Sequence, residues 1–146
     1  MKLALYDQYK SGVIEGFLIF DISPITSIVR AYDPQYQMNW LISEYHSLRD
    51  KIEKIVRMNP GIPIGKAKIR APLPKPGKII CAAVNYLEFG TKSSCPLDAF
   101  IKSSNSVIGN GDTIELPNIP ATVFHHEAEL ALVVGKTAKN VRAENA

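Results

Sequence analysis

The first twenty residues contain three short stretches in which apolar side chains alternate with polar or small ones. These stretches lie at residues 3–5, 13–14 and 17–20, with turn-forming residues at 8–12 and Gly16 between them. Short alternating runs separated by tight turns are typical of antiparallel hairpins, because successive strand residues face opposite sides of the sheet. The pattern predicts a three-stranded antiparallel meander at the N-terminus.

The period changes between about Asn39 and Met58. Apolar side chains recur there at three- and four-residue steps, at Leu41, Tyr45, Leu48, Ile52 and Ile55. Such spacing predicts one amphipathic helix of about five turns, ended by Asn59-Pro60-Gly61. His46 lies among its polar positions, which favours a surface residue over a ligand. The preceding stretch from Asp21 to Pro34 is predicted to be irregular.

Residues 60–77 contain five of the ten prolines. Proline lacks a backbone donor and fixes φ, so this density predicts a solvated connecting arm without strand or helix. The arm is also a natural boundary. We therefore expect a small N-terminal domain over residues 1–70 and a second domain over residues 71–146.

Short apolar runs return after the arm. A buried strand is predicted at Lys78–Val84 and short strands at Phe100–Lys102 and Thr113–Leu116, with a loop at residues 87–99 and a glycine turn at Val107–Asp112. Cys81 lies inside the first of these runs. It is interpreted as a buried free thiol, since neither it nor Cys95 belongs to a CxxC motif.

The stretch Phe124–Gly135 carries the chemistry. It is predicted to be one strand with His125, Glu127 and Glu129 on the same face. The Cβ atoms of the two glutamates would lie roughly 6.5–7 Å apart, so their carboxylates could converge on one point. A cation between them would relieve their repulsion, and hard oxygen ligands suit Mg²⁺, Mn²⁺ or Ca²⁺ better than zinc. The alternative is a solvated face whose glutamates merely keep the sheet soluble.

Composition narrows the class of protein. With 146 residues, 46% hydrophobic and 21% charged, the chain is predicted to be globular: one domain, or a small domain plus part of a larger one. A net charge of +3 without a basic, aromatic-rich surface argues against nucleic acid as a partner. No signal-peptide pattern and no run of about 18 apolar residues is present, so we expect no membrane partner and a reducing, cytoplasmic location.

Several motifs from Pro76 onward occur in a recognisable order. They are Pro76–Cys81 leading to Asn85-Tyr86, Phe100–Lys102 followed by Ser106–Gly109, Gly111-Asp112 with Ile114–Pro117, His126–Leu130, and Val133–Lys136. Together they resemble the fumarylacetoacetate hydrolase family. The resemblance implies an α+β, mostly β fold, in which a small N-terminal hairpin and helix domain precedes the first part of a mixed β-roll.

The same resemblance implies function. Members are typically homodimers that bind Mg²⁺, Mn²⁺ or Ca²⁺ and act on 2-oxo acids or 1,3-dicarbonyl compounds. They hydrolyse, decarboxylate or isomerise these substrates through a metal-stabilised enolate. By position, Glu127 and Glu129 match metal ligands, and a third ligand, an aspartate, is expected about 30 residues further on.

The resemblance also assigns roles around the substrate. Asn85 and Tyr86 match a substrate-binding pair, and Lys102 matches a lysine that stabilises an oxyanion or the substrate carboxylate. His125 would act as a local acid or base, or as a partner of the ligands.

Two departures from the family pattern matter. Phe89 stands where hydrolytic members carry a histidine that activates water, and phenylalanine cannot exchange a proton, so decarboxylation and isomerisation stay open beside hydrolysis. No aspartate follows Glu129, which suggests a fragment. Two alternatives therefore stay open: a family relative that binds ligand or metal without turnover, and a structural subunit that completes a dimer.

Overall fold

The computed structural model describes residues 1–29, 33–86 and 98–145, and it is an α+β structure. The strands are β1 (Lys2–Tyr6), β2 (Lys10–Glu15), β3 (Leu18–Asp21), β4 (Ile62–Pro63), β5 (Ile69–Arg70), β6 (Ile79–Ala83) and β7 (Asp98–Lys102). The helices are α1 (Ser23–Thr26), α2 (Pro34–Ser43) and α3 (Tyr45–Met58). Helices and strands occupy similar shares of the described residues, so the expected predominance of β structure is not seen.

The N-terminal meander is confirmed. Strands β1 and β2 pair antiparallel with Leu3 opposite Val13, and β2 pairs antiparallel with β3. Gly12 allows this close packing, because a Cβ at that position would lie 2.9 Å from the side chain of Ile19. The complete sheet has five strands in the order β4-β3-β2-β1-β5.

The predicted single helix is two helices that begin earlier than expected, while the predicted end at Met58 is confirmed. Helix α2 begins earlier, at Pro34, because the Asp33 side chain accepts a hydrogen bond from the Tyr36 amide at 3.0 Å and caps the first turn. Glu44, at φ −92° and ψ 4°, separates α2 from α3. The stretch predicted to be irregular also contains α1 and a 3-10 turn at Ser27–Val29.

The helices cover one face of the five-stranded sheet. Their apolar side chains form a buried core with the strands, made of Leu5, Val13, Ile22, Met38, Leu41, Leu48 and Ile52. The predicted apolar positions Tyr45 and Ile55 pack against this core, and His46 is exposed as expected. The opposite face of the sheet buries a smaller cluster of Ala4, Tyr6 and Ile19.

Polar groups are also buried where α2 meets the meander. The Gln37 Nε2 donates to Ser11 Oγ at 2.7 Å and to the Tyr9 carbonyl at 3.3 Å, and Thr26 Oγ1 donates to Ser11 Oγ at 3.2 Å. Buried polar groups cost free energy unless they are paired. This network therefore fixes where α2 sits on the sheet.

The proline-rich arm contains strands, which corrects the prediction that it lacks them. Strands β4 and β5 form the two edges of the five-stranded sheet. An edge strand has one side that makes no ladder hydrogen bonds, so Pro63 is tolerated there. The Asp7 carboxylate accepts from the Lys68 amide at 3.0 Å, which holds the arm near β1.

Strands β6 and β7 form a separate two-stranded antiparallel sheet, with Cys81 opposite Phe100. The strand at Phe100–Lys102 is confirmed, beginning slightly earlier at Asp98. Cys81 is a buried free thiol as predicted, but its neighbours are less buried than a core strand requires, and Ile80 is exposed. The reason is that the sheet has two strands, so little of it is covered.

The glycine turn is confirmed. Gly111 adopts φ +78°, and the Asp112 amide donates to the Gly109 carbonyl at 3.1 Å. The Asp112 carboxylate accepts from the Gly109 amide at 2.9 Å and pairs with the Lys68 ammonium at 3.1 Å. These two interactions, the amide hydrogen bond foremost, hold the pKa of Asp112 below its usual range.

The strands predicted at Thr113–Leu116 and Phe124–Gly135 are not formed. Residues 113–135, all of them described, have no regular secondary structure and are exposed to solvent. A strand needs a neighbour to satisfy its backbone groups. The pairings within the described chain involve β1–β7 and not this segment.

One further prediction concerns residues outside the described ranges. The loop at residues 87–99 lies there up to residue 97, and it includes Phe89 and Cys95. Across the ranges that are described, no helix is long and apolar enough to cross a membrane.

Candidate functional site

Four of the predicted site residues line one cleft of about 410 Å³. They are Asn85, Tyr86, Glu127 and Glu129, and the remaining lining residues are Ala82, Ala83, Val84, Phe100 and Ala128. One wall is therefore the end of β6, and the other is a segment more than forty positions further along the chain. The two glutamates share this cleft although the strand that was expected to place them is absent.

A hydrogen bond joins the two walls. The Leu130 amide donates to the Tyr86 hydroxyl at 3.3 Å, directly after Glu129 in the chain. The Leu130 side chain itself is 81% exposed, so apolar packing contributes little to holding this segment. The contact with Tyr86 therefore matters for where the glutamates lie.

The backbone turns sharply where β6 ends. Val84 adopts φ +48°, in the left-handed region that β-branched residues rarely enter. Such a conformation costs on the order of 1–3 kcal/mol and persists where the surrounding structure imposes it. The turn directs the chain from β6 into Asn85 and Tyr86, at the mouth of the cleft.

Lys102 lies at the edge of the site. It does not line the cleft, but its ammonium lies 5.7 Å from the centroid of the Phe100 ring, which does. Residues two apart on a strand share a face. Lys102 was predicted as a site residue and Phe100 was not, although two residues at alternate positions of a strand are expected to share a face.

His125 is exposed and does not line the cleft, so the structure does not bring it together with the other predicted residues.

The lining residues Ala82 and Ala83 were not predicted from the sequence. Their signal is the run of small residues that leads into Asn85-Tyr86.

A larger cleft, of about 480 Å³, lies between α2 and residues 133–137. Its lining includes Trp40 and Lys136 but no carboxylate and no histidine. The acidic residues that could bind a divalent metal therefore line the smaller cleft and not this one.

The donor set of the smaller cleft fits a hard divalent cation. Two glutamates, an asparagine and a tyrosine line the same space, and Mg²⁺, Mn²⁺ and Ca²⁺ prefer the oxygen ligands that such side chains carry. No group of three or more histidine, cysteine or acidic side chains that could hold a metal occurs within residues 1–29, 33–86 and 98–145. Within these ranges the acidic residues that line the cleft are Glu127 and Glu129.

Comparison with known proteins decides the family. The model described as "Fumarylacetoacetate (FAA) hydrolase C-terminal" matches residues 78–146, which include every residue of this cleft. The chain belongs to the fumarylacetoacetate hydrolase family. The resemblance drawn from the motifs is thereby confirmed.

Individual relatives extend the match into the N-terminal half. The maleylpyruvate hydrolase of Aquipseudomonas alcaligenes is 28% identical over 161 aligned residues, covering 99% of this chain and 56% of that protein. The oxaloacetate tautomerase YisK of Bacillus subtilis is 34% identical over 90 residues, covering 57% of this chain and 30% of the relative.

A solved structure agrees with the fold. The maleylpyruvate hydrolase from Sphingobium sp. SYK-6, in complex with manganese (II) ion and pyruvate, superposes with a TM-score of 0.67 at 31% identity. The match covers 82% of this chain and 44% of that one. The chain spans about half the length of the maleylpyruvate hydrolases that it matches.

Proposed function

We propose that the chain is part of a divalent-metal-dependent enzyme that acts on a small 2-oxo acid or 1,3-dicarbonyl compound. The observation that carries the proposal is the shared cleft of Glu127 and Glu129 with Asn85 and Tyr86. Two carboxylates can hold a divalent cation, and that cation would meet the negative charge of a 2-oxo acid. The neutral groups of Asn85 and Tyr86 would hydrogen-bond the oxygens of the same substrate. Relatives named maleylpyruvate hydrolase and oxaloacetate tautomerase support the substrate class.

Glu127 and Glu129 would hold the cation, which is Mg²⁺, Mn²⁺ or Ca²⁺ by the oxygen chemistry of the donors. Manganese in the related hydrolase structure supports a divalent metal. When bound, such an ion acts as a Lewis acid toward a substrate carbonyl.

The chain's other residues bind and orient the substrate. The Asn85 amide and the Tyr86 hydroxyl would hydrogen-bond substrate oxygens, since both line the cleft. Lys102 would attract the substrate carboxylate from the cleft edge, beside Phe100. His125, two positions before Glu127, would act as a local acid or base or as a partner of the ligands.

We favour isomerisation or decarboxylation over hydrolysis. Phe89 occupies the place of the histidine that would activate water, and its side chain carries no exchangeable proton. Proton transfer next to a carbonyl needs an acid or base but no attacking water. A relative that binds metal or ligand without turnover remains the second candidate, on the same observation.

We further propose a homodimer in the cytoplasm, with residues 1–70 as a small N-terminal domain and residues 71–146 as the first part of a catalytic β-roll. The exposed apolar side chains of residues 114–134 support a larger assembly or domain, since isolated proteins rarely expose so many. The buried free thiol of Cys81 is in keeping with a reducing compartment.

The test is turnover by the full-length protein with Mn²⁺. Oxaloacetate is offered and its keto–enol exchange followed by the ultraviolet absorbance of the enol, while pyruvate release reports decarboxylation or maleylpyruvate hydrolysis. We expect oxaloacetate to react, with a loss of about a hundredfold or more in Glu127→Gln, because the Lewis acid contributes several kcal/mol.

Two results would change the proposal. Hydrolysis of maleylpyruvate at rates comparable to those with oxaloacetate would show that the interpretation of Phe89 is wrong. Tight Mn²⁺ binding without turnover of either acid would favour the non-catalytic relative.

A further inference from the structure

We infer that Tyr86 is a positioning residue, whose hydroxyl fixes the Glu127–Glu129 segment against β6 in the geometry that binds metal. This inference rests on the proposed function and deepens it. Its basis is the hydrogen bond from the Leu130 amide to the Tyr86 hydroxyl, 3.3 Å long and joining residues 44 positions apart.

Although Leu130 makes this contact, the contact acts on Glu129 through the covalent geometry of the chain. The donating nitrogen of Leu130 belongs to the peptide bond that begins at the Glu129 carbonyl carbon, and a peptide unit is planar. Holding that nitrogen therefore orients the plane attached to the Glu129 Cα. Glu127 lies two residues earlier in the same segment and lines the same cleft.

The segment has few other restraints. Residues 124–134, all described, have no helix or strand, and the side chains of Leu130 and Leu132 face solvent. An exposed segment without ladder hydrogen bonds samples many conformations, and ordering it costs roughly 1–2 kcal/mol per residue. A single anchor beside Glu129 thus has a large influence on how often both carboxylates face one point.

The position of Tyr86 is set by the paired strand that precedes it. Tyr86 follows β6 by three residues, and β6 is paired with β7 along its whole length, from Ile79 opposite Lys102 to Ala83 opposite Asp98. The left-handed turn at Val84 sets the direction in which the chain leaves the strand. The Tyr86 hydroxyl therefore belongs to the wall that follows a paired strand. The two glutamates belong to the wall that has no ladder hydrogen bonds.

Positioning and substrate binding are compatible but separable. A phenolic hydroxyl accepts through its lone pairs and donates through its O–H, so it can accept from Leu130 while donating toward the cleft. A substrate contact alone alters KM and leaves metal affinity in the absence of substrate unchanged. A positioning role alters metal affinity before any substrate is present.

The experiment measures Mn²⁺ binding without substrate, from the electron paramagnetic resonance signal of free Mn²⁺. The full-length protein is compared with Tyr86→Phe, which removes the hydroxyl and keeps the ring. Tyr9→Phe is the matched control, since Tyr9 lies in the N-terminal sheet region and does not line the cleft. Glu127→Gln reports whether the metal site is the proposed one.

We expect Tyr86→Phe to raise the Mn²⁺ Kd about threefold to tenfold, the range for losing one hydrogen bond that orients a ligand. Tyr9→Phe should stay within twofold of the unsubstituted protein. Hydrogen exchange provides a second readout: the Leu130 amide should exchange faster in Tyr86→Phe and at an unchanged rate in Tyr9→Phe.

The outcomes separate the two claims. If Glu127→Gln weakens Mn²⁺ binding while Tyr86→Phe changes neither the Kd nor the Leu130 exchange rate, the positioning role is wrong and the proposed function stands. If the unsubstituted protein binds no Mn²⁺, or Glu127→Gln binds it equally well, both claims fail.

Discussion

Two regions of the chain respond differently to the same kind of sequence pattern. Residues 2–70, here the N-terminal unit, form a five-stranded sheet with helices on one face and a buried core. Residues 103–145, here the C-terminal segment, have comparable apolar alternation around Leu130 and Leu132, yet contain no α-helix or strand anywhere in that range. The difference lies in the neighbours that each region has.

In the N-terminal unit strands β1, β2 and β3 find their partners within a few residues, through tight turns, and β4 and β5 pair with the two edges of this meander. The Leu5 side chain is then covered by helices from the same unit. In the C-terminal segment no described strand lies alongside, so the backbone stays hydrated and the apolar side chains face water. Alternating apolar side chains therefore predict a segment that is able to form a strand. The strand forms only where a second strand pairs with it.

The cleft has one wall that follows a paired strand and one wall without paired strands. Its wall from β6 is ordered by pairing with β7, and its other wall is the Glu127–Glu129 part of the C-terminal segment. Substitutions in an ordered unit and in a segment held by few contacts are therefore expected to differ in their effects.

The largest effect is expected from a matched pair of leucines. Leu41 is 0% exposed in the N-terminal unit and Leu132 is 87% exposed in the C-terminal segment. Leu41→Ala should lower the free energy of unfolding by about 2–5 kcal/mol, because it removes buried methyl groups and leaves a cavity. Leu132→Ala should change it by less than about 0.5 kcal/mol.

Urea unfolding followed by circular dichroism measures both values. A loss for Leu132→Ala that equals the loss for Leu41→Ala would contradict the contrast, since it would mean that the C-terminal segment is packed in solution.

A smaller effect is expected from the buried polar network. Gln37→Ala removes the donor to Ser11 Oγ and to the Tyr9 carbonyl, which leaves the buried Ser11 hydroxyl with one hydrogen bond fewer. The free energy of unfolding should fall by about 1–3 kcal/mol. Gln8→Ala, at an exposed turn position, is the control and should stay within about 0.5 kcal/mol. Equal values for the two variants would show that the network does not hold α2 on the sheet.

The smallest effect is expected from acid at the glycine turn. The folded-state pKa of Asp112 is lowered by the Gly109 amide and by Lys68, so its contribution is present above the usual aspartate range and is lost as pH falls through the lowered pKa. The Gly109 amide resonance should therefore shift at acidic pH in an NMR titration, with little change in global stability. In Asp112→Asn this shift should be absent, and its persistence would assign the titration to another group.

The N-terminal unit was predictable where contacts are local. Turn residues next to alternating runs were sufficient for the meander, and the three- and four-residue steps identified the apolar face of α3. The break at Glu44 was missed because the apolar steps continue through it. The start of α2 was also missed, although Asp33-Pro34 is a recognisable helix beginning.

The site was predictable in a different way. The shared cleft contains Glu127, Glu129, Asn85 and Tyr86, which the motif order had named together. The left-handed Val84 could not be foreseen, since valine disfavours that conformation. The hydrogen bond between Leu130 and Tyr86 joins distant positions, and no local pattern indicates it.

The central claim is that Glu127 and Glu129 together bind a divalent cation. Calorimetric titration of Mn²⁺ into the full-length protein, Glu127→Gln, Glu129→Gln and the control Glu115→Gln tests it most directly. Glu115 is an exposed glutamate of the C-terminal segment that does not line the cleft. The account predicts binding to the unsubstituted protein and to Glu115→Gln, and affinity weakened about tenfold or more in each of the other two variants. Equal binding heats for all four proteins would contradict it.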